Sequence, residues 1–142
     1  MSIEVISSLI AAAGTIVVAA MAYLSTKRME REAELRREKL EHYKEFALAL
    51  SGVVSGDSTP DAQRAFARAC NKLNLVAPQA VIAALQAFQV AIKVSATATD
   101  RELHDPLMSR LFLEMRKDLG VRPSDNQATF KVGLWASGAG PQ

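Results

Sequence analysis

The sequence has few of the residues from which most catalytic and metal sites are built. Its 142 residues include one cysteine, Cys70, and two histidines, His42 and His104. One cysteine excludes an internal disulfide and a zinc site with several cysteine ligands, and neither histidine stands in a metal-binding spacing. Because Cys70 falls among apolar residues at helical spacing, we expect a buried, unreactive thiol. We therefore predict no metal site and no cofactor.

Glycine-rich motifs for phosphate or acyl chemistry are missing as well. The seven glycines are scattered and form neither a phosphate-binding loop nor a Gly-x-Ser-x-Gly elbow. Most carboxylates alternate with basic residues, as on solvated helix faces, where a general acid lacks the desolvation that tunes its pKa. We predict that the chain is not an enzyme and binds no small-molecule substrate.

An excess of charge of one sign is also lacking. The chain has 17 basic and 15 acidic residues, and they are interspersed. Proteins that neutralise nucleic-acid phosphates concentrate basic residues on one surface. Nucleic acid is therefore not an expected partner.

What the sequence does have is one long uncharged segment near its start. Residues 5–26 contain no charged residue, and Val5 to Leu24 alone would form a helix about 30 Å long, which matches the hydrocarbon core of a bilayer. Tyr23 stands at one end, where an aromatic ring with a polar tip suits the lipid–water interface. We predict a transmembrane anchor over residues 1–26, with the lipid bilayer as its first partner.

The flanking charges predict how this anchor is oriented. A cleaved signal peptide is the alternative, but the apolar run is too long, and the positive cluster follows the run instead of preceding it. Basic residues resist translocation, so the part of the chain after the span should remain in the cytoplasm and the N-terminus should lie outside. The residues that set this orientation are Lys27, Arg28, Arg31, Arg36 and Arg37.

Small residues recur every fourth position inside the span. Ser7, Ala11, Thr15 and Ala19 would share one helix face, and such faces let two membrane helices approach closely. This stripe predicts self-association or pairing with another membrane protein. An alanine-rich span also produces such a stripe by chance, and the sequence leaves both interpretations open.

The remaining chain has the composition and periodicity of helices, so the predicted fold class is all-α. Residues 27–45 form a charged helical stalk that continues the anchor, residues 46–120 a small up-and-down bundle of about four helices, and residues 121–142 a flexible tail. A loop is expected over residues 51–61, and Thr59 should cap the second helix ahead of Pro60. The third helix should start at Pro78, while Asp100 or Asp105 should cap the fourth, which ends at Gly120.

Two groups near the C-terminus are candidates for partner contacts. Arg116, Lys117 and Asp118 would form a polar patch, or would cap the helix and pair with the first helix, and the structural role is favoured. Phe130, Leu134 and Trp135 would form a short amphipathic turn that docks on the bundle, a partner or the bilayer, or would belong to an inert tail.

These features together resemble small, uncharacterised bacterial and prophage single-pass membrane proteins. The resemblance rests on the anchor, the stretch from Lys39 to Phe46, a helix with Phe66 and Asn71-Lys72-Leu73, and the closing sequence Met115-Arg116-Lys117-Asp118-Leu119-Gly120. It covers roughly residues 1–120. It implies a location in the bacterial inner membrane and carries over no activity and no catalytic residue.

The leading functional hypothesis is a membrane-anchored helical interaction or scaffold module at the cytoplasmic face, able to self-associate. One alternative is a structural subunit of a filament or tube that packs through its apolar N-terminal helix. Another is a phage-related membrane effector in defence or superinfection exclusion. The sequence does not name the partners or the biological process.

Overall fold

The chain folds into four helices, as a computed structural model shows for residues 2–54, 59–94 and 101–134. The helices are α1 (Ile3–Val54), α2 (Pro60–Val76), α3 (Gln79–Val94) and α4 (Arg101–Asp118). Within those three ranges there is no strand. The predicted all-α class, with one long first helix followed by a small bundle, is confirmed.

Helix α1 is 52 residues long and passes without interruption from the apolar segment into the charged one. It ends at Val54, inside the segment predicted as a loop over residues 51–61. Gly52 lies in this last helical turn, where an added Cβ would stand 3.6 Å from the Cβ of Ala62. The helix therefore continues through two residues of weak helix propensity, Ser51 and Gly52, at a point where its backbone lies close to the start of α2.

Contacts between Cα atoms divide the chain into two compact units, residues 1–37 and residues 38–142. The first consists of the N-terminal part of α1. The second begins within the predicted stalk, and its first buried apolar residue is Tyr43.

The caps of α2 are those that the sequence predicts. The hydroxyl of Thr59 accepts a hydrogen bond from the amide of Ala62 at 3.1 Å, and Pro60 occupies the first turn, where its missing N–H costs nothing. At the other end Ala77 is extended, as expected for a residue before proline. The carbonyl of Pro78 then accepts the first bonds of α3, from Val81 and Ile82.

The ends of α4 agree with the prediction only in part. The helix begins at Arg101, which places Pro106 inside it, so Asp105 is not its cap; the other candidate, Asp100, lies outside the described residues. At the other end the last helical residue is Asp118, and Gly120 after it has a left-handed φ of 67°. The amides of Gly120 and Val121 donate to the carbonyls of Lys117 and Arg116, which completes the predicted glycine stop.

The core of the second unit lies between one face of each helix. Helix α1 contributes Tyr43, Phe46 and Leu50, and the rings of Phe46 and Phe66 are 5.7 Å apart. The buried core residues from the other helices are Ala69, Cys70, Leu73, Val81, Ala84, Leu85, Phe88, Met108, Leu111 and Met115.

Residues 121–134 differ from the predicted flexible tail, because they lie along α4 and make specific contacts with it. The amides of Ala128 and Phe130 bond to Asn126, through its side-chain and backbone oxygens respectively, which forms a turn. After the turn, the amide of Val132 donates to the hydroxyl of Ser109 at 3.0 Å. Val132 and Leu134 pack on the core. We call residues 121–134 the C-terminal strap.

Candidate functional site

The apolar segment of α1 is the most exposed apolar surface in the first unit. All side chains of residues 2–38 are exposed, and none of the apolar window that is long enough to cross a membrane is buried. Ile10, Ile16 and Val18, for example, expose 67–69% of their surface. Large exposed apolar surfaces mark sites that contact lipid or another protein. The helix is thus long and apolar enough to span a membrane.

The hydroxyl groups inside this segment bond to the backbone of their own helix. The side chains of Ser7 and Ser8 donate to the carbonyls of Glu4 and Val5, and Thr15 donates to Ala11, each at 2.9 Å. A hydroxyl that is paired in this way is less costly to transfer into lipid than an unpaired one. These serines and the threonine therefore do not oppose a membrane location.

The predicted stripe of Ser7, Ala11, Thr15 and Ala19 lies on one exposed face of this helix. Gly14 borders it, and no heavy atom outside its own helix backbone lies within 4 Å of the position of an added Cβ. The larger side chains of Ile6, Ile10 and Val17 lie on the opposite face, whereas Val18, three residues after Thr15, lies beside the stripe. The small-residue face offers a shallow surface that a second helix can approach.

The basic cluster follows immediately on the same helix. Lys27 pairs with Glu30 at 2.8 Å. Among the described residues, no carboxylate lies within ion-pair distance of the other four members, Arg28, Arg31, Arg36 and Arg37. The structure thus leaves four guanidinium groups of the predicted orientation-determining cluster exposed to solvent.

In the second unit, Asp118 joins the end of α4 to α1. Its two carboxylate oxygens accept hydrogen bonds from the ammonium of Lys39 at 3.0 Å and from the hydroxyl of Tyr43 at 2.7 Å. An acidic residue at a helix C-terminus is disfavoured by the helix dipole, so the pairing with α1 offsets that cost. The sequence predicted that the patch of Arg116, Lys117 and Asp118 pairs with the first helix. The pairing was expected between the basic residues of the patch and acidic residues of that helix.

Lys39 and Tyr43 were not predicted as partners of Asp118. Their spacing, i and i+4, places an ammonium and a phenol on one helix face. The unfavourable position of Asp118 at a helix end is the one signal in the sequence that a partner exists. The identity of that partner depends on how the chain folds back.

Removing this carboxylate tests its contribution to the second unit. We expect Asp118→Ala to lower the free energy of unfolding by about 1–3 kcal/mol, because the buried hydroxyl of Tyr43 loses its acceptor. Urea titration of the purified chain in mild detergent measures the change. In the matched control Glu41→Ala, the lost carboxylate is 64% exposed, and the change should stay within about 0.5 kcal/mol. Equal effects of both variants would contradict a special role for Asp118.

The same contact makes stability depend on pH in the alkaline range. Burial, and then the hydrogen bond to the Asp118 carboxylate, raise the pKa of Tyr43 well above its usual value near 10. Since the folded-state pKa is raised, the stabilisation is complete below about pH 10 and is lost as the pH rises further. The stability advantage of the native chain over Tyr43→Phe should shrink between pH 9 and 11 in urea titrations. If this stability advantage did not change between pH 9 and 11, the raised pKa of Tyr43 and its hydrogen bond to Asp118 would be refuted.

Arg116 holds the C-terminal strap against α4. Its guanidinium donates two hydrogen bonds to Asp125, at 2.7 and 3.1 Å, and lies over the ring of Phe130 at 5.6 Å from its centre. The hydrogen bond from Arg116 lowers the pKa of the Asp125 carboxyl. Lys117 pairs with Glu114 within α4 at 2.9 Å. All three residues of the predicted polar patch thus have contacts within the chain.

The predicted amphipathic turn is only partly described. Phe130 and Leu134 are half-buried and belong to the strap, whereas Trp135 lies outside the described residues. Contacts of these residues, and of Arg116, Lys117 and Asp118, with a partner stay predictions. The sequence did not indicate the roles of Ser109 and Asp125. A single serine or aspartate has no spacing that identifies its hydrogen-bond partner, which is the amide of Val132 for Ser109 and the guanidinium of Arg116 for Asp125.

No site for chemistry emerges from the described residues. Within residues 2–54, 59–94 and 101–134, no three His, Cys, Asp or Glu side chains are grouped to hold a metal ion. Cys70 is buried as expected, and burial raises the pKa of its thiol, which favours the unreactive protonated form. The absence of enzymatic activity and the resemblance to prophage membrane proteins stay predictions. No protein-family model, curated protein or solved structure matches the chain.

Proposed function

We propose that the chain is a single-pass membrane protein whose helical bundle serves as an interaction module at the cytoplasmic face of a bacterial inner membrane. The observation that carries the proposal is the apolar segment of α1, which is fully exposed along a length sufficient to cross a bilayer.

The energy of the apolar segment favours lipid over water. Moving ten large apolar side chains out of water stabilises by on the order of 15 kcal/mol or more, which exceeds the net stability of many whole domains, about 5–15 kcal/mol. A helix also satisfies its backbone hydrogen bonds internally, as a lipid environment requires. The ten side chains are Ile3, Val5, Ile6, Leu9, Ile10, Ile16, Val17, Val18, Met21 and Leu24.

The charges next to the segment favour a cytoplasmic bundle. The five basic residues of the cluster all lie within 13 residues after Leu24, and four of them have no carboxylate partner among the described residues. Unpaired cations near the end of a span are held on the cytoplasmic side. We therefore place the second unit in the cytoplasm and the start of α1 outside.

The second unit has the properties of a stable binding module. Its apolar side chains converge on one core, and no buried side-chain polar atom of the described residues lacks a hydrogen-bond partner. The large apolar side chains that it exposes, such as Leu48, Leu75 and Val90, lie on three different helices. A membrane tether raises the effective concentration of such a module near partners on the same membrane, so weak polar contacts suffice.

Membrane fractionation tests the proposal against its main alternative. We expect the native chain to stay in the membrane pellet after washes with high salt and alkaline carbonate, and to leave it in mild detergent as small discrete particles. Release by salt or carbonate would refute the membrane anchor. Sedimentation as a polymer after detergent treatment would instead support a filament or tube subunit packed through its N-terminal helices.

Self-association through the small-residue face gives a further prediction. Leucine at positions 11 and 15 would keep two helices apart, so Ala11→Leu/Thr15→Leu should lower the dimer association constant by roughly tenfold. Crosslinking in bilayers of defined protein-to-lipid ratio measures this constant. The control Ala13→Leu/Ala20→Leu adds bulk to the opposite face and should change little. Loss of crosslinking in the control alone would show that the other face mediates the contact.

A further inference from the structure

A shallow groove on α1 lies directly after the uncharged segment. Its lining residues are Tyr23, Leu24, Ser25, Lys27, Arg28 and Arg31. The pairs Tyr23–Lys27, Leu24–Arg28 and Lys27–Arg31 are four residues apart, so their side chains are neighbours on one helix face. The groove therefore has an aromatic and an apolar residue at the end toward the span and three cations beyond them.

The cations of this groove are only partly neutralised by the protein. Glu30 pairs with Lys27 at 2.8 Å, whereas the guanidinium groups of Arg28 and Arg31 have no carboxylate within ion-pair distance in the described chain. Residues 27–31 carry three cations and one carboxylate, while residues 32–38 carry two cations and three carboxylates. The net charge is thus positive in the helical turns nearest the span and negative in the turns beyond them.

We propose that this groove binds the headgroup of an anionic phospholipid. Arg28 and Arg31 donate to the phosphate oxygens, for which a planar guanidinium is well suited. Tyr23 and Leu24, each more than 60% exposed, contact the glycerol and the first acyl carbons. The inference rests on the proposed membrane location and adds selectivity for lipid charge to it.

Two features favour a phospholipid over a soluble phosphate. Side chains on a helix lean toward its N-terminus, which brings the groups of Arg28 and Arg31 back toward the span and the headgroup region. A soluble phosphate would contact the cations alone and leave Tyr23 and Leu24 without a role. A phospholipid contacts both parts of the groove at once.

Native mass spectrometry of the full chain in mild detergent tests the proposal. The detergent-solubilised protein is titrated with phosphatidylglycerol or phosphatidylcholine, and the fraction with one bound lipid is measured. We expect phosphatidylglycerol to bind roughly 25-fold more tightly than phosphatidylcholine, because each of the two arginines contributes about fivefold near an anionic lipid. Arg28→Gln/Arg31→Gln should abolish this preference.

The control Arg36→Gln/Arg37→Gln removes the same charge about 12 Å further along the helix and should keep the preference. Equal retention of the two lipids by the native chain, or equal loss in both variants, would overturn the groove as the site. Displacement of phosphatidylglycerol by an equal concentration of glycerol phosphate would overturn it in favour of a soluble phosphate. Carbonate extraction of the membranes, before the protein is solubilised from them, reports separately on the membrane anchor itself.

Discussion

Arginine at positions 13 and 17 together should release the protein from membranes. Ala13 and Val17 are near the middle of the apolar segment and on the face opposite the small-residue stripe, so the stripe is not altered. On scales of insertion into the membrane, an arginine at the centre of a helix costs about 2.5–3.5 kcal/mol, so two cost about 5–7 kcal/mol, whereas ten large apolar residues together contribute only about 3–6 kcal/mol. After alkaline carbonate washing, we expect most of Ala13→Arg/Val17→Arg in the supernatant and the native chain in the pellet.

The matched control for this variant is Ala13→Leu/Val17→Leu, which changes the same positions without charge and should stay in the pellet. Circular dichroism should show that the bundle of the arginine variant remains helical, because residues 43–119, which build the core, are untouched. Full retention of the arginine variant in the pellet would mean that something other than the apolar segment attaches the chain to the membrane.

Phe46→Ala should cause the largest loss of stability in the second unit. The side chain of Phe46 is fully buried, contacts the ring of Phe66, and belongs to α1. Truncation of a buried phenylalanine leaves a cavity and costs about 3–5 kcal/mol, a large part of the 5–15 kcal/mol that typically stabilises a domain. Urea titration in mild detergent, followed by circular dichroism, should show a much lower midpoint, while the helix of the span adds a constant signal.

Leu48 provides the control on the same helix, two residues away and 74% exposed. Leu48→Ala should change the free energy of unfolding by less than about 0.5 kcal/mol, because no cavity forms. A similar midpoint for both variants would show that α1 is not part of the core. It would then contradict the packing of Tyr43, Phe46 and Leu50 against the other helices.

The helices were predictable because their signals are local. The cap at Thr59, the proline at position 60 and the glycine stop at position 120 each act within one turn of the backbone, so the sequence alone reveals them. The end of α1 was misplaced, because the predicted loop over residues 51–61 begins inside the helix, and of the two predicted caps of α4 the start at Arg101 excludes Asp105. Both positions conflict with local preferences, because α1 continues through Gly52 to Val54 and α4 contains Pro106.

The contacts between distant residues were not predictable in this way. Asp118 lies 75 residues from Tyr43, and nothing in the spacing of either residue identifies the other. The contacts of the strap were not predictable either. Leu113 lies two positions from the core residues Leu111 and Met115, on another face of α4, yet it is only 2% exposed. It lines one cavity together with Phe130 and Val132, so the strap accounts for its burial. The apolar periodicity of a single helix does not identify residues that are buried by a later segment of the chain.

The basis of the candidate membrane site, in contrast, was visible in the sequence. An uncharged run of 22 residues followed by five basic residues is a compositional signal that needs no tertiary contact. The structure adds two facts that composition does not contain. The hydroxyl groups of Ser7 and Thr15 donate hydrogen bonds to the backbone of their own helix. The guanidinium groups of Arg28 and Arg31 have no carboxylate partner in the described chain.

Labelling of single cysteines in intact cells tests the membrane orientation most directly. In a Cys70→Ser background, Ser2→Cys marks the start of α1, and Leu75→Cys marks an exposed position of the bundle, where the native side chain is 87% exposed. A membrane-impermeant maleimide added to spheroplasts should label position 2 at once and position 75 only after lysis. Labelling of position 75 in unbroken spheroplasts would contradict a cytoplasmic bundle, and labelling of neither position before lysis would contradict a helix that crosses the membrane.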